Sequence, residues 1–99
     1  MDQRLRAEAR VATKLASRYL IQLCKHFEHR LPVVRAGEEG SITFPSGTCR
    51  LTAEGDLLVL GAQAADEEQL AQLEGVVARH LERFAFRDKP EISWQRLSA

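Results

Sequence analysis

The sequence predicts an α+β fold: a two-layer sandwich in which a mostly antiparallel sheet of five or six strands carries two amphipathic helices packed on one face. Three observations carry this expectation. Apolar residues recur at steps of three and four from about Lys14 to Arg30 and again after Asp66, the spacing of one helical face. Between these stretches, from Ile42 to Ala62, the period drops to two, that of a half-buried strand. Pro45-Ser46-Gly47 and Glu54-Gly55-Asp56 interrupt the alternation at short intervals, as the turns of an antiparallel meander do.

Taken in order, Ala7-Glu8-Ala9-Arg10-Val11-Ala12 alternates small apolar with charged residues and is expected to be a short strand, although alanine and glutamate form strands poorly. In the first helix Ala12, Ala16, Tyr19, Leu20, Leu23 and Phe27 form the apolar stripe, with Lys14, Arg18, Lys25 and Glu28 on the other side. Thr13 or Ser17 is expected to cap its start, and Pro32 to stop it. Leu31 to Arg35, with Gly37 and Gly40 after it, supplies a strand. Ile42 and Phe44 then alternate with Ser41 and Thr43, and Cys49, Leu51 and Ala53 with Thr48, Arg50 and Thr52, before a strand from Leu57 to Ala62. Asp66 with Gln69 three positions later resembles a capping box, and Glu67 and Glu68 suit the positive end of a helix dipole. Leu70, Leu73, Val77, Leu81 and Phe84 make the second helix's stripe, with Gly75 on its polar side. After Pro90, Glu91 to Gln95 is expected to form the last strand, with Ile92 and Trp94 facing the core.

The helices are expected to cover the sheet face carrying Ile42, Phe44, Cys49, Leu51, Leu58, Leu60, Ile92 and Trp94. Thr43, Thr48, Arg50, Thr52 and Ser93 then point the other way, and an antiparallel sheet can leave that face in water. Leu57 and Val59 alternate with Leu58 and Leu60, so one pair should stand among the threonines. Clustered apolar residues there make the outer face a candidate contact with a second copy or another protein.

Composition bounds the function. With 99 residues the chain is expected to be a single domain, 1–99, too short for a barrel enzyme of about 250 residues or for a dinucleotide-binding fold. Fourteen basic residues balance fourteen acidic ones, so no basic excess marks a nucleic-acid partner. The absence of a long apolar run or a leader segment predicts no membrane association and a cytoplasmic location. Cys24 and Cys49 are too few for a disulfide scaffold and in a reducing compartment read first as buried thiols.

No catalytic residue can be named. Ser46 sits in a Pro-Ser-Gly turn without a nucleophile elbow, Gly47 stands outside any phosphate-cradling pattern, and no cofactor is implied. Cys24, His26, Glu28 and His29 crowd one and a half helical turns and have the chemistry of metal ligands. On a helix His26 and His29 are about 60° apart, but Cys24 is about 140° or more from both. A metal site would need a distant ligand such as Cys49 on the sheet or His80 on the second helix; with Cys49 the alternative set is Cys24, His26, His29 and Cys49. Half-buried histidines and buried thiols are ordinary in such domains, which favours packing over ligation. His80, at the edge of the second stripe, reads first as a boundary histidine bonded to the backbone, ahead of a catalytic base, and in a sharper reading as the partner of His26. Such a pair would bind an anion or switch near neutral pH. Arg87, after Phe84 and Phe86, reads as a helix end or as part of an aromatic and basic patch. The candidate ligand-binding residues are thus His26, His29, His80 and Arg87.

Three segments together resemble a family of small bacterial domains of unknown function: Ser17-Arg18-Tyr19-Leu20 leading to Leu23-Cys24-Lys25-His26-Phe27 with His29; Phe44-Pro45-Ser46-Gly47-Thr48-Cys49; and His80-Leu81-Glu82-Arg83-Phe84-Ala85-Phe86-Arg87 with Trp94. Members occur alone or joined to flavin-dependent siderophore-interacting reductases. The resemblance implies an accessory or binding domain linked to siderophore or iron metabolism, with a flavin reductase as partner. The alternatives are a small metal- or redox-responsive protein using Cys24, His26 and His29, and, third, an enzyme acting on a small acid.

Overall fold

The structure is a computed structural model that describes residues 5–97. Period-two segments form six strands and the two period-3.6 segments form helices: β1 (Leu5–Ala12), α1 (Ala16–Phe27), β2 (Val33–Ala36), β3 (Glu39–Phe44), β4 (Gly47–Glu54), β5 (Leu57–Ala64), α2 (Glu67–Phe84) and β6 (Trp94–Leu97). The sheet order is β2-β3-β4-β5-β1-β6, and every neighbouring pair is antiparallel. The meander β2 to β5 is continuous in sequence. β1 closes it by pairing with β5, Ala9 opposite Leu60, and β6 adds to β1's other side, Trp94 opposite Ala9. Gly37 and Gly55 lie in the β2–β3 and β4–β5 turns with φ of 60° and 61°, a region that costs glycine nothing.

Both helices lie on the sheet face carrying Ala9, Val11, Ile42, Cys49, Leu51, Leu58 and Leu60, all at most 1% exposed. α1 buries Ala16, Tyr19, Leu20, Leu23 and Cys24, and α2 buries Leu70, Leu73, Val77 and Leu81. Gly40 makes α1's approach to β3 possible: a Cβ there would stand 2.7 Å from Cys24 Sγ. On the opposite face Thr43 and Arg50 are exposed, while Thr48, Thr52, Leu57 and Val59 are half-buried.

Several local expectations are corrected. Ala12 belongs to β1 and faces solvent rather than joining the stripe of α1. α1 starts after Leu15, which makes no side-chain cap. Thr13 instead turns inward: its hydroxyl donates to Asp88 Oδ2 (2.5 Å) and accepts from the Leu15 N–H (3.0 Å). Ser17 is drawn off to Glu38, donating to Oε1 at 2.6 Å. The strand expected at Leu31 to Arg35 begins at Val33, because the chain leaving α1 first turns back, Leu31 N–H bonding to Phe27 O. The last strand is Trp94–Leu97, not Glu91 to Gln95. Asp88 is tied to Thr13 at the end of β1, while Trp94 pairs with Ala9. Six residues therefore cover a distance that four span along a strand, roughly 13 Å at 3.3 Å each. The slack is taken up before pairing begins, and Ser93 consequently lies outside the sheet. Ile92 and Trp94 still pack half-buried against the core. At α2 the sequence reading holds: Asp66 Oδ1 accepts from the Gln69 N–H (2.8 Å).

Candidate functional site: a histidine pair between the helices

His26 stands one residue before Phe27 on the last turn of α1, and His80 lies four residues before Phe84 on α2. Where the helices pack side by side, their imidazole centroids are 4.9 Å apart with planes tilted by 49°. His80 Nδ1 lies 2.7 Å from Val76 O, one turn earlier on the same helix. That contact makes Nδ1 the donor and leaves Nε2 as the lone-pair nitrogen of the neutral ring. The Phe27 ring sits 4.8 Å from each histidine and 4.9 Å from Phe44 on the sheet, and Phe84 is 5.6 Å from His26. Five aromatic rings thus bridge α1, α2 and β3, which fixes the histidines without burying them: His26 remains exposed and His80 half-buried.

The field at this point is positive. Partial burial is the first cause holding His26 below its ordinary 6.5, followed by the charges of His80, Arg83, His29 and Arg30. Two grooves flank the pair. One, of about 510 Å³, is lined by Arg18, Ile21, Gln22, Lys25, His26 and Phe84. The other, of about 660 Å³, is lined by His26, Phe27, His29, Arg30, Leu31 and His80. His26 is common to both. An aromatic wall beside cationic groups suits planar anions, which gain stacking area and charge-assisted hydrogen bonds together.

Of the four candidate ligand residues, the structure brings His26, His29 and His80 to one place. Arg87 stands apart, its guanidinium 5.4 Å from the centroid of Phe86. Arg30 and Arg83, which the sequence reading passed over, take its place. Only one signal was local: Arg83 follows His80 by three positions and shares its face of α2, whereas Arg30 stands in the turn that follows α1. Their convergence depends on how the helices dock, and no spacing within either helix encodes that.

The alternative set of Cys24, His26, His29 and Cys49 is divided between interior and surface. Cys24 and Cys49 are 1% and 0% exposed, beneath the helix that carries the histidines outside. Burial pushes the Cys24 thiol up, and it pushes Cys49 up to about 12, with Cys24 adding to the effect. Both thiols are neutral at pH 7, whereas a metal ligand or nucleophile is a thiolate. Among the described residues no group of three or more histidine, cysteine, aspartate or glutamate side chains is arranged to hold a metal ion.

The fold and the site define a small α+β sandwich with an aromatic, basic cleft between its two helices. No helix among the described residues is long and apolar enough to cross a membrane. The chain belongs to a family of uncharacterized proteins conserved in bacteria, DUF2218, whose model matches residues 8–95. It is similar to the NMR structure of PA4090 from Pseudomonas aeruginosa, at 38% identity over 92% of this chain and 95% of that one, with a TM-score of 0.78. Comparison with curated proteins gives no match.

Proposed function

We propose that this chain is a non-enzymatic accessory domain of the bacterial cytoplasm that binds an anionic aromatic ligand beside His26 and His80, in the service of siderophore-linked iron use. The observation that carries the reading is the pair itself: two imidazoles 4.9 Å apart, set among phenylalanines, with Arg83, His29 and Arg30 close enough to act on His26. A catecholate has the matching chemistry. Its ring stacks on Phe84 or His26, and its oxygens accept from Arg30, Arg83 and the N–H of His26. The motif resemblance to domains joined to siderophore-interacting flavin reductases supports the choice of ligand class, and makes such a reductase the partner this reading names.

Calorimetric titration with 2,3-dihydroxybenzoate and its ferric tris complex tests the proposal. Saturable binding is expected, tighter for the ferric complex and weakening with salt as exposed charge contacts do. His26→Ala combined with His80→Ala should weaken it at least tenfold. Binding that this double variant leaves unchanged, or no binding by the parent, would overturn the reading.

A further inference from the structure

The sheet face away from the helices carries a second hollow. Strand register sets Ser41, Arg50, Gly61, Glu8 and Gln95 in one row across β3, β4, β5, β1 and β6. Gly61, in the middle, has no side chain, so Arg50 and Glu8 face each other across about 10 Å, two strand spacings. The space is open: a Cβ at Gly61 would meet nothing nearer than Arg50 O at 3.9 Å. The hollow measures about 320 Å³, at the lower end of the range for small-molecule sites. Its floor and walls combine Val59 and Leu97 with the hydroxyls of Thr48 and Thr52.

The charges are not symmetrical. Glu8 Oε2 already accepts from Arg10 Nη1 at 3.1 Å, whereas among the described residues Arg50 pairs with no carboxylate. The guanidinium therefore presents its fork of donors beside two threonine hydroxyls and an apolar wall, a geometry that matches a carboxylate bidentately. We infer that this hollow is a binding site for a small monocarboxylate with an apolar body, its carboxylate on Arg50 and its body over Gly61 against Val59 and Leu97. The site lies on the opposite side of the sheet from the histidine pair and does not depend on it.

The test is a 1H–15N correlation titration with octanoate, and with octylamine as the charge-reversed control. Octanoate should saturate with shifts centred on the amides of Arg50, Thr52 and Gly61, and octylamine should bind at least tenfold more weakly. Arg50→Gln should weaken octanoate at least tenfold. Gly61→Val, which fills the floor in a strand that accepts β-branched residues, should do the same with the melting temperature held. Equal binding of octylamine, unsaturable shifts, or shifts confined to the helix side would overturn the assignment. So would a concentration-dependent dimer that covers this face and leaves octanoate without effect. Should Gly61→Val fail to fold, Arg50→Gln alone decides.

Discussion

Thr13 is 5% exposed, and three bonds converge on it. Besides its hydroxyl contacts to Asp88 and Leu15, its N–H donates to Asp56 O at 3.0 Å. Asp88 also lies 3.4 Å from the Tyr19 hydroxyl, so one carboxylate gathers the end of β1, the first turn of α1 and the segment after α2. Thr13→Val keeps the shape and removes the hydroxyl. It should cost about 1–3 kcal/mol, the penalty for stranding hydrogen-bonding groups, read from urea unfolding at unchanged slope. The sequence singled out Thr13, but as a helix cap. Its partner stands 75 residues away, beyond the reach of any local pattern. At His26 the depressed pKa has a definite sign. The folded protein binds fewer protons there than the unfolded chain, so stability rises with pH across the window from the depressed value up to 6.5 and falls on acidification through it. His26→Gln should remove that part of the pH dependence in melting curves recorded from pH 5 to pH 8. A parent and variant with parallel pH profiles would contradict it.

Elements meet at close contacts that set their own conditions. Gly40→Ala places a methyl 2.7 Å from Cys24 Sγ and should destabilise by about 1–3 kcal/mol as overpacking does. Cys24→Ala in the same chain should recover most of that loss, because the two changes share one space. Additive losses in chemical denaturation would show that α1 does not press on β3 there. Arg96 on β6 reaches Glu67 and Glu74 on α2. Glu67 is exposed, but the Glu74 side chain is 13% exposed and accepts twice from Arg96. Arg96→Ala should therefore cost about 1–3 kcal/mol by stranding that carboxylate. The helices and the β3–β5 meander were legible because alternation and turn chemistry agree over every few residues. β1 was read correctly despite its alanines: paired on both sides by β5 and β6, it gets its place from neighbours rather than propensity. The start of β6 was not legible, since it depends on where Asp88 is tied.

At the scale of the molecule one sheet divides two chemistries. Its covered face joins α1 and α2 through a common core, so Leu23→Asp or Leu73→Asp, each introducing a carboxylate at a site 1% or less exposed, should cost several kcal/mol and unfold a domain of ordinary stability. Thermal melting of either variant within a few degrees of the parent would contradict the helix faces described. The candidate site was partly legible for the same reason. Helical spacing put His26 and His80 at stripe edges, while their meeting, and the company of Arg30 and Arg83, follows only from docking both helices on the sheet. The most direct test of the account is a 1H–15N correlation spectrum tuned to the imidazole nitrogens, recorded as 2,3-dihydroxybenzoate is added. Saturable shifts of the His26 and His80 ring resonances are expected. Ring resonances that stay in place while the ligand binds elsewhere, or does not bind, would contradict it.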